Sequence, residues 1–100
     1  MIDIEEQYLD EIRRILAEHV PDCEVRAFGS RIEGTSREFS DLDLVLVGSE
    51  KLDWRKIESL KDAFSASDIP IIVDVVDFNA ISDSFRKITE KNYKIIQKRN

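Results

Sequence analysis

The sequence predicts an α/β fold, in which helices alternate with the strands of a small sheet. Two observations support this prediction. Apolar residues recur at helical spacing in three segments, and short apolar runs that end at glycine or follow proline lie between them. The predicted order is helix, strand, short helix, strand, helix, strand, helix. A chain of 100 residues has room for one domain, so we expect a single domain over residues 1–100.

The part of the chain up to residue 40 is predicted to form a long helix, a strand and one short helical turn. Apolar residues at helical spacing cover residues 3–19, with Asp3 as the expected N-cap. Residues 24–28 (EVRAF) are expected to form a strand. The sequence SRIE at residues 30–33 has the form of a capping box, which predicts one helical turn. Residues 35–40 are polar and predict a loop.

The rest of the chain is predicted to contain two strands and two helices. The run DLDLVLV at residues 41–47 predicts the second strand, and a helix capped by Asp53 is expected at about 53–66. The run IIVDVVDF at residues 71–78 predicts the third strand. A last helix is expected over roughly residues 83–98. Its apolar side would be formed by Phe85, Ile88, Ile95 and Ile96.

The composition favours a cytoplasmic protein. The net charge is −6, from 21 acidic and 15 basic residues, which argues against strong binding to polymeric nucleic acid. The one cysteine, Cys23, allows no internal disulfide and is typical of a reducing compartment. The N-terminus is acidic, unlike a signal peptide, and no apolar run approaches the roughly 20 residues that cross a bilayer. We therefore expect no membrane association.

The strand predicted at residues 41–47 begins with two aspartates. Side chains alternate between the two faces of a strand. One face therefore holds three leucines, and the other holds Asp41, Asp43, Val45 and Val47. Because the leucine face must meet the core, we expect Asp41 and Asp43 to share the opposite face at the entrance of the strand.

The third predicted strand contains two more aspartates, although aspartate is a poor strand former. Asp74 and Asp77 are three residues apart, so they point to opposite faces, and only one of them can join Asp41 and Asp43. Asp74 is favoured because it lies mid-strand. Asp77 lies near the exit of the strand, where it could cap the next turn, and stays the alternative.

Three carboxylates that converge in one cleft repel each other. At a separation of ~4 Å and an effective dielectric of about 20, each like-charged pair costs about 4 kcal/mol. Strand propensities span only ~1 kcal/mol and cannot offset this repulsion. Either the carboxylates do not converge, or one is protonated, or a cation holds them together. Mg²⁺ is the cation that such an oxygen-only ligand set suits.

Gly29 and Ser30 lie at the junction of the first strand and the short helical turn. Glycine lets the backbone approach a ligand closely, and the first amides of a helix can bind a phosphate. Ser30 adds a hydroxyl, although Ser30 and Glu33 could form a helix cap and nothing more. Arg31 and Arg37 flank the turn, where each could contact a triphosphate or be a solvated loop arginine. Together with the carboxylate pair, these features indicate a site for a metal–nucleoside triphosphate.

These motifs resemble the nucleotidyltransferase superfamily that is typified by DNA polymerase beta. The resemblance rests on Gly29-Ser30, an interval of ten residues, Asp41-Leu42-Asp43, and a later strand with an aspartate between hydrophobic residues. It covers nearly the whole chain, whose length resembles the minimal nucleotidyltransferase (MNT) branch. The resemblance implies a small mixed β-sheet with helices packed on one face, the polymerase beta-like palm fold.

The resemblance also implies a role for each motif residue. Gly29 and Ser30 would bind the phosphates of ATP or another nucleoside triphosphate. Asp41 and Asp43 would ligate the metal of the nucleotide, and with Asp74 they would hold a second ion, so two Mg²⁺ or Mn²⁺ ions are expected. Asp74 could also accept the proton of the attacking hydroxyl as a general base.

A partner protein is implied as well, because the minimal branch lacks a substrate domain. In this family the partner is often a small helical HEPN-type protein, and the pair is a toxin–antitoxin module. The MNT member would then transfer AMP from ATP to a hydroxyl of the toxin, typically a tyrosine. Two alternatives stay open: a non-enzymatic antitoxin that acts by binding, and a nucleotidyltransferase that modifies a small molecule of the antibiotic type. Homo- and hetero-oligomers are both left open.

Overall fold

The computed structural model describes residues 2, 4–34 and 41–99, and only the backbone of Ser30 and Glu33. The predicted cap Asp3 and the predicted loop at 35–40, which includes Arg37, lie outside the described residues. The described elements alternate as an α/β chain. They are α1 (Glu6–His19), β1 (Glu24–Phe28), α2 (Ser30–Glu33), β2 (Leu42–Val47), α3 (Trp54–Ala66), β3 (Val73–Asp77), α4 (Asp83–Lys91) and β4 (Tyr93–Gln97).

The described strands form one mixed sheet in the order β3-β2-β1-β4. β1 is antiparallel to both of its neighbours, and β2 is parallel to β3. A parallel pair needs a crossover connection, and α3 supplies it between β2 and β3. The mixed sheet that the resemblance implied is therefore confirmed.

The core lies between the sheet and the helices α1 and α3. On β2 the leucines 42, 44 and 46 have no exposed surface, as the alternation of the strand predicted. They belong to one cluster with buried residues of the two helices, including Ile12 and Leu16 of α1 and Leu60 and Phe64 of α3. Because this face of β2 is filled by leucine, Asp43 must project from the other face.

The second face of the sheet is partly covered by α4. The ring of Phe85 meets the ring of Phe28 edge-on, with the centroids 6.0 Å apart. The Arg86 side chain donates a hydrogen bond of 2.8 Å to the carbonyl of Phe78 and lies over the ring of that residue. Val45, on this face of β2, is fully buried. Phe28 is the register partner of Asp43, so an aromatic residue lies next to this carboxylate on the second face.

The prediction of one helix over residues 83–98 is wrong. The helix ends at Lys91, and Tyr93–Gln97 form β4, which pairs antiparallel with β1. Ile96 is 6% exposed and Ile95 is 44% exposed, so the two isoleucines point to opposite faces instead of sharing a helix stripe. The physical reason is that tyrosine and β-branched residues fit a pleated, half-buried surface, and pairing satisfies the second edge of β1.

The other boundaries differ from the predictions by a few residues. α1 begins at Glu6 because Glu5 is extended, with φ −63° and ψ 140°. β2 begins one residue after Asp41, and β3 is shorter than the predicted strand at 71–78. The predicted cap of α3 is confirmed, since the Asp53 carboxylate accepts a hydrogen bond of 2.9 Å from the Arg55 amide. Across the residues that the structure describes, no helix is both long and apolar enough to span a membrane.

Candidate active site

Parallel pairing of β2 with β3 brings two of the predicted carboxylates together. Asp43 is the register partner of Asp74. Register partners on adjacent strands are about 4.8 Å apart and project their side chains from the same face. Asp41 lies directly before β2 and is exposed, as is Asp74, whereas Asp43 is half-buried. The structure therefore groups the three aspartates at one end of the sheet.

The charges of the three aspartates affect one another. Burial raises the pKa of Asp43, and the negative charges of Asp74 and Asp41 raise it further. In the described part of the chain, no three His, Cys, Asp or Glu side chains are gathered as a preformed metal site. The carboxylates are thus close enough to repel each other without converging. An oxygen-only donor set of mutually repelling carboxylates fits a hard divalent cation such as Mg²⁺. The positive charge of the ion would offset the repulsion between the carboxylates.

Gly29 brings the predicted phosphate-binding turn against Asp43. Its φ is +85°, in the left-handed region that glycine tolerates best. A Cβ atom built on Gly29 would lie 2.6 Å from Oδ2 of Asp43. The turn continues into α2, where the Ile32 amide donates a hydrogen bond of 3.0 Å to the Gly29 carbonyl. The first amides of α2 therefore begin beside the carboxylate.

Asp77, the alternative third carboxylate, has a different environment. It is 4% exposed and lies on the face of β3 opposite to Asp74. Its carboxylate accepts hydrogen bonds of 2.8 Å from the Leu52 amide and 3.0 Å from the Asn79 amide. These bonds hold the loop after β2 and the turn after β3. The geometry therefore favours Asp74 as the third carboxylate and gives Asp77 a structural role.

A comparison with models of protein families identifies the family of this chain. Residues 10–100 match the model of the family described as Polymerase beta, Nucleotidyltransferase. The chain belongs to this nucleotidyltransferase family. A second comparison, with individual proteins, indicates which branch of the family the chain belongs to. The chain is 43% identical over 98 residues to the probable protein adenylyltransferase MntA of Haemophilus influenzae, covering 98% of this chain and 86% of MntA. It is therefore a minimal nucleotidyltransferase.

Solved structures with the same fold come from toxin–antitoxin pairs. A mutant of the MntA–HpeT toxin–antitoxin matches with a TM-score of 0.74 at 22% identity, and a toxin–antitoxin with AMP-PNP matches with 0.68 at 24%. Each match covers 88% of this nucleotidyltransferase and 71% of the solved chain. A tri-AMPylated HEPN toxin of Shewanella oneidensis in complex with its MNT antitoxin matches with 0.63 at 19%, covering 93% and 71%. At these identities the likeness shows the fold alone.

Two predicted ligands of the nucleotidyltransferase lie in α2. Arg31 is 7% exposed, so it is not the solvated loop arginine that the sequence left open. The backbone of Ser30 opens α2 directly after Gly29, while its hydroxyl lies outside what the structure describes. Of the predicted phosphate ligands, Gly29 is the one whose position next to Asp43 the structure describes.

Two features of the nucleotidyltransferase site were missed in the sequence. The Phe28–Phe85 contact joins α4 to the strand that leads into the turn. Ile72 lies two residues before Asp74 on the same side of the chain and is 68% exposed. Its spacing from Asp74 was the available signal, because residues two apart in an extended segment share a face. Only the tertiary structure shows that this isoleucine is exposed beside a carboxylate cluster.

Proposed function

We propose that this nucleotidyltransferase transfers AMP from ATP, with Mg²⁺, to a hydroxyl of a HEPN-type partner protein, and that it is the antitoxin of a toxin–antitoxin pair. The observation that carries the proposal is the register of Asp43 with Asp74 directly against Gly29. This arrangement puts a phosphate-binding backbone and a cation-binding carboxylate pair side by side at one end of the sheet. The nucleoside triphosphate is the substrate that needs both.

Asp41, Asp43 and Asp74 would hold the metal ions. When bound, two such ions polarise the α-phosphate, activate the attacking hydroxyl and stabilise the leaving pyrophosphate. Asp43 suits a shared position, because it is the register partner of Asp74 and lies two residues after Asp41. Asp41 and Asp74 are exposed, so their carboxylates are accessible to ions from solvent.

The turn at Gly29 would bind the β- and γ-phosphates. The positive φ of Gly29 lets its backbone approach Asp43 closely, and the amide of Ser30, which opens α2 directly after Gly29, would donate to a phosphate oxygen. Any side chain at this position would meet the Asp43 carboxylate. Gly29 thus fixes the distance between the phosphates and the carboxylate pair.

Asp74 would accept the proton of the acceptor hydroxyl. The hydroxyl oxygen then forms a bond to the α-phosphorus, and the bond from that phosphorus to the pyrophosphate oxygen breaks. The proton leaves on the Asp74 carboxylate, and pyrophosphate carries away the electron pair of the broken bond. Asp74 is suited to this role because it is exposed, on the edge strand, and beside Asp43.

The comparisons support AMP as the transferred group and a HEPN protein as the acceptor. The relative at 43% identity is a probable protein adenylyltransferase, and one structural neighbour is an MNT antitoxin in complex with an AMPylated HEPN toxin. This chain covers 86% of that relative, so the likeness extends over most of both proteins and supports the same type of transfer here.

A non-enzymatic antitoxin is the second candidate. The observation that favours it is that the described carboxylates are not gathered as a preformed metal site. In this case Asp41, Asp43 and Asp74 have no catalytic role, and the chain neutralises its partner by binding alone. The register of Asp43 with Asp74 argues for the enzyme, because it places two carboxylates side by side where they repel each other unless a cation binds.

One experiment separates the two candidates. The chain is incubated with α-labelled ATP, Mg²⁺ and the HEPN-type product of the neighbouring gene, and Asp43→Asn is compared with wild type. The matched control is Asp62→Asn, which removes an exposed aspartate of α3. The enzyme predicts label on the partner with wild type and the control and none with Asp43→Asn. Neutralisation of the partner without transfer of label by any variant would establish the binding antitoxin.

A further inference from the structure

Ile72 is an exposed apolar side chain directly beside the third carboxylate. It is 68% exposed, the same fraction as Trp54, although it lies in an apolar run. Its backbone is held firmly, since the Ile72 carbonyl accepts a hydrogen bond of 2.9 Å from the Leu42 amide. Because Ile72 and Asp74 are two residues apart in extended chain, their side chains lie on the same face. The apolar surface of Ile72 therefore lies next to Asp74 on the face that bears the aspartates.

The strand that follows Ile72 is an edge of the sheet. β3 pairs with β2 on one side, and no strand of the described chain pairs with it on the other. The Ile72 carbonyl and the Phe78 amide both bond to β2. Because backbone groups alternate in direction along a strand, the amides and carbonyls of Val73 and Val75 point outward. An outward edge of this kind is a template for an added strand.

A cavity lies beside the entry to this edge. Its volume is about 330 Å³, and its walls are the end of α3 and the segment that leads into β3. Most of the lining residues are apolar, among them Phe64, Ile69 and Pro70. The approach to Asp74 along the edge of β3 is therefore apolar, whereas the end of the sheet that bears the three aspartates is acidic.

We propose that the outer edge of β3 and Ile72 form the docking site for the acceptor, and that the acceptor enters as an extended, non-acidic polypeptide segment. This proposal rests on the proposed function. A strand added to β3 lies about 4.8 Å from it, so a hydroxyl-bearing side chain opposite Asp74 projects onto the same face as the Asp74 carboxylate. An apolar neighbour of that residue packs on Ile72.

The charge of the site selects the same kind of acceptor. Asp41, Asp43 and Asp74 are all at this end of the sheet, so an acidic segment is repelled as it approaches. Pairing through backbone groups tolerates many sequences, while Ile72 requires an apolar side chain at one position. A small polar molecule satisfies neither contact, which makes polypeptide the class of acceptor that this edge recognises.

The test is a kinetic comparison of Ile72→Ser with Ile95→Ser, using the HEPN-type partner as acceptor. Ile95 is a matched control because it is an exposed isoleucine on β4, the opposite edge of the sheet. We expect Ile72→Ser to raise the KM for the partner about tenfold, as loss of one apolar contact does. The affinity for ATP with Mg²⁺ and the melting temperature should stay close to wild type, because Ile72 is exposed. Ile72→Val should restore most of the loss.

The outcomes distinguish failure of the docking site from failure of the proposed function. A KM for the partner that is unchanged in Ile72→Ser overturns the docking site, and so does an equal increase in Ile95→Ser. An increase in the KM for ATP with that for the partner also overturns it, because Ile72 would then act on the cleft as a whole. Absence of label transfer by wild type refutes the proposed function itself, which is a separate result.

Discussion

Replacing Gly29 by alanine tests whether the phosphate turn and the carboxylate pair are one site. The new Cβ would lie 2.6 Å from Oδ2 of Asp43, which must retreat by about 0.8 Å to reach the start of ordinary contact at 3.4 Å. The carboxylate is the end of a flexible side chain, so rotation relieves the clash at little cost in stability. The rotation nevertheless turns Asp43 away from its place beside Asp74. A misplacement of about 1 Å in a catalytic group can lower the rate about 100-fold.

Gly34→Ala is the matched control for the backbone. Gly34 has φ +77°, close to the +85° of Gly29, and a Cβ built on it meets no described atom within 4 Å. Left-handed backbone costs a residue other than glycine about 1–2 kcal/mol. Both variants should therefore lose similar stability, and for a domain of this size each kcal/mol lowers the melting temperature by about 4–8 °C.

The assay measures unfolding in urea and label transfer from ATP for both variants at a temperature where both are folded. We expect equal losses of the free energy of unfolding and unequal losses of transfer, about 100-fold for Gly29→Ala and less than threefold for Gly34→Ala. Transfer by Gly29→Ala at the rate of Gly34→Ala would refute the reasoning, because the Asp43 carboxylate would then not need the space that glycine leaves.

Three further predictions concern the carboxylates and β4. Burial and two neighbouring carboxylates raise the pKa of Asp43, so the folded state holds this proton more tightly than the unfolded state. The stability of the metal-free protein should therefore fall as pH rises from about 3.9, the unfolded value, through the raised pKa, and urea titrations should show a smaller fall for Asp43→Asn. Asp74→Asn should abolish transfer without loss of stability, whereas Asp77→Ala should cost about 1–3 kcal/mol in urea unfolding, because two backbone amides lose their acceptor. Ile96→Ala should cost about 2–5 kcal/mol and Ile95→Ala less than about 0.5, measured in the same way.

Specific results would contradict these three predictions. A pH profile of Asp43→Asn that parallels wild type would show that Asp43 does not titrate under the influence of its neighbours. Full transfer by Asp74→Asn, together with loss of transfer by Asp77→Ala at retained stability, would mean that Asp77 is the third carboxylate and Asp74 is not. Equal losses for Ile95→Ala and Ile96→Ala would mean that β4 does not have one buried and one exposed face.

The elements that could be predicted were those whose signal is local. Alternation along residues 41–47 predicted the buried leucines and the opposite face of Asp43, because a strand has a fixed period of two. The cap at Asp53 was predicted because a short acceptor side chain bonds to the amides next to it. The last strand was missed because Ile88, Ile95 and Ile96 also fit helical spacing, and only β1, far away in sequence, offers the edge that Tyr93–Gln97 complete.

The sequence by itself determined which residues are available for the chemistry: a glycine at a strand–helix junction, two aspartates on one face of a strand, and an aspartate in a later strand. Their types and spacings are local properties that one chain segment carries alone. The tertiary structure decided which of them meet. The parallel register that sets Asp43 opposite Asp74, and the approach of Gly29 to Asp43, depend on contacts between segments that are distant along the chain. No local periodicity encodes a pairing partner, because register is settled by the packing of the whole sheet against its helices.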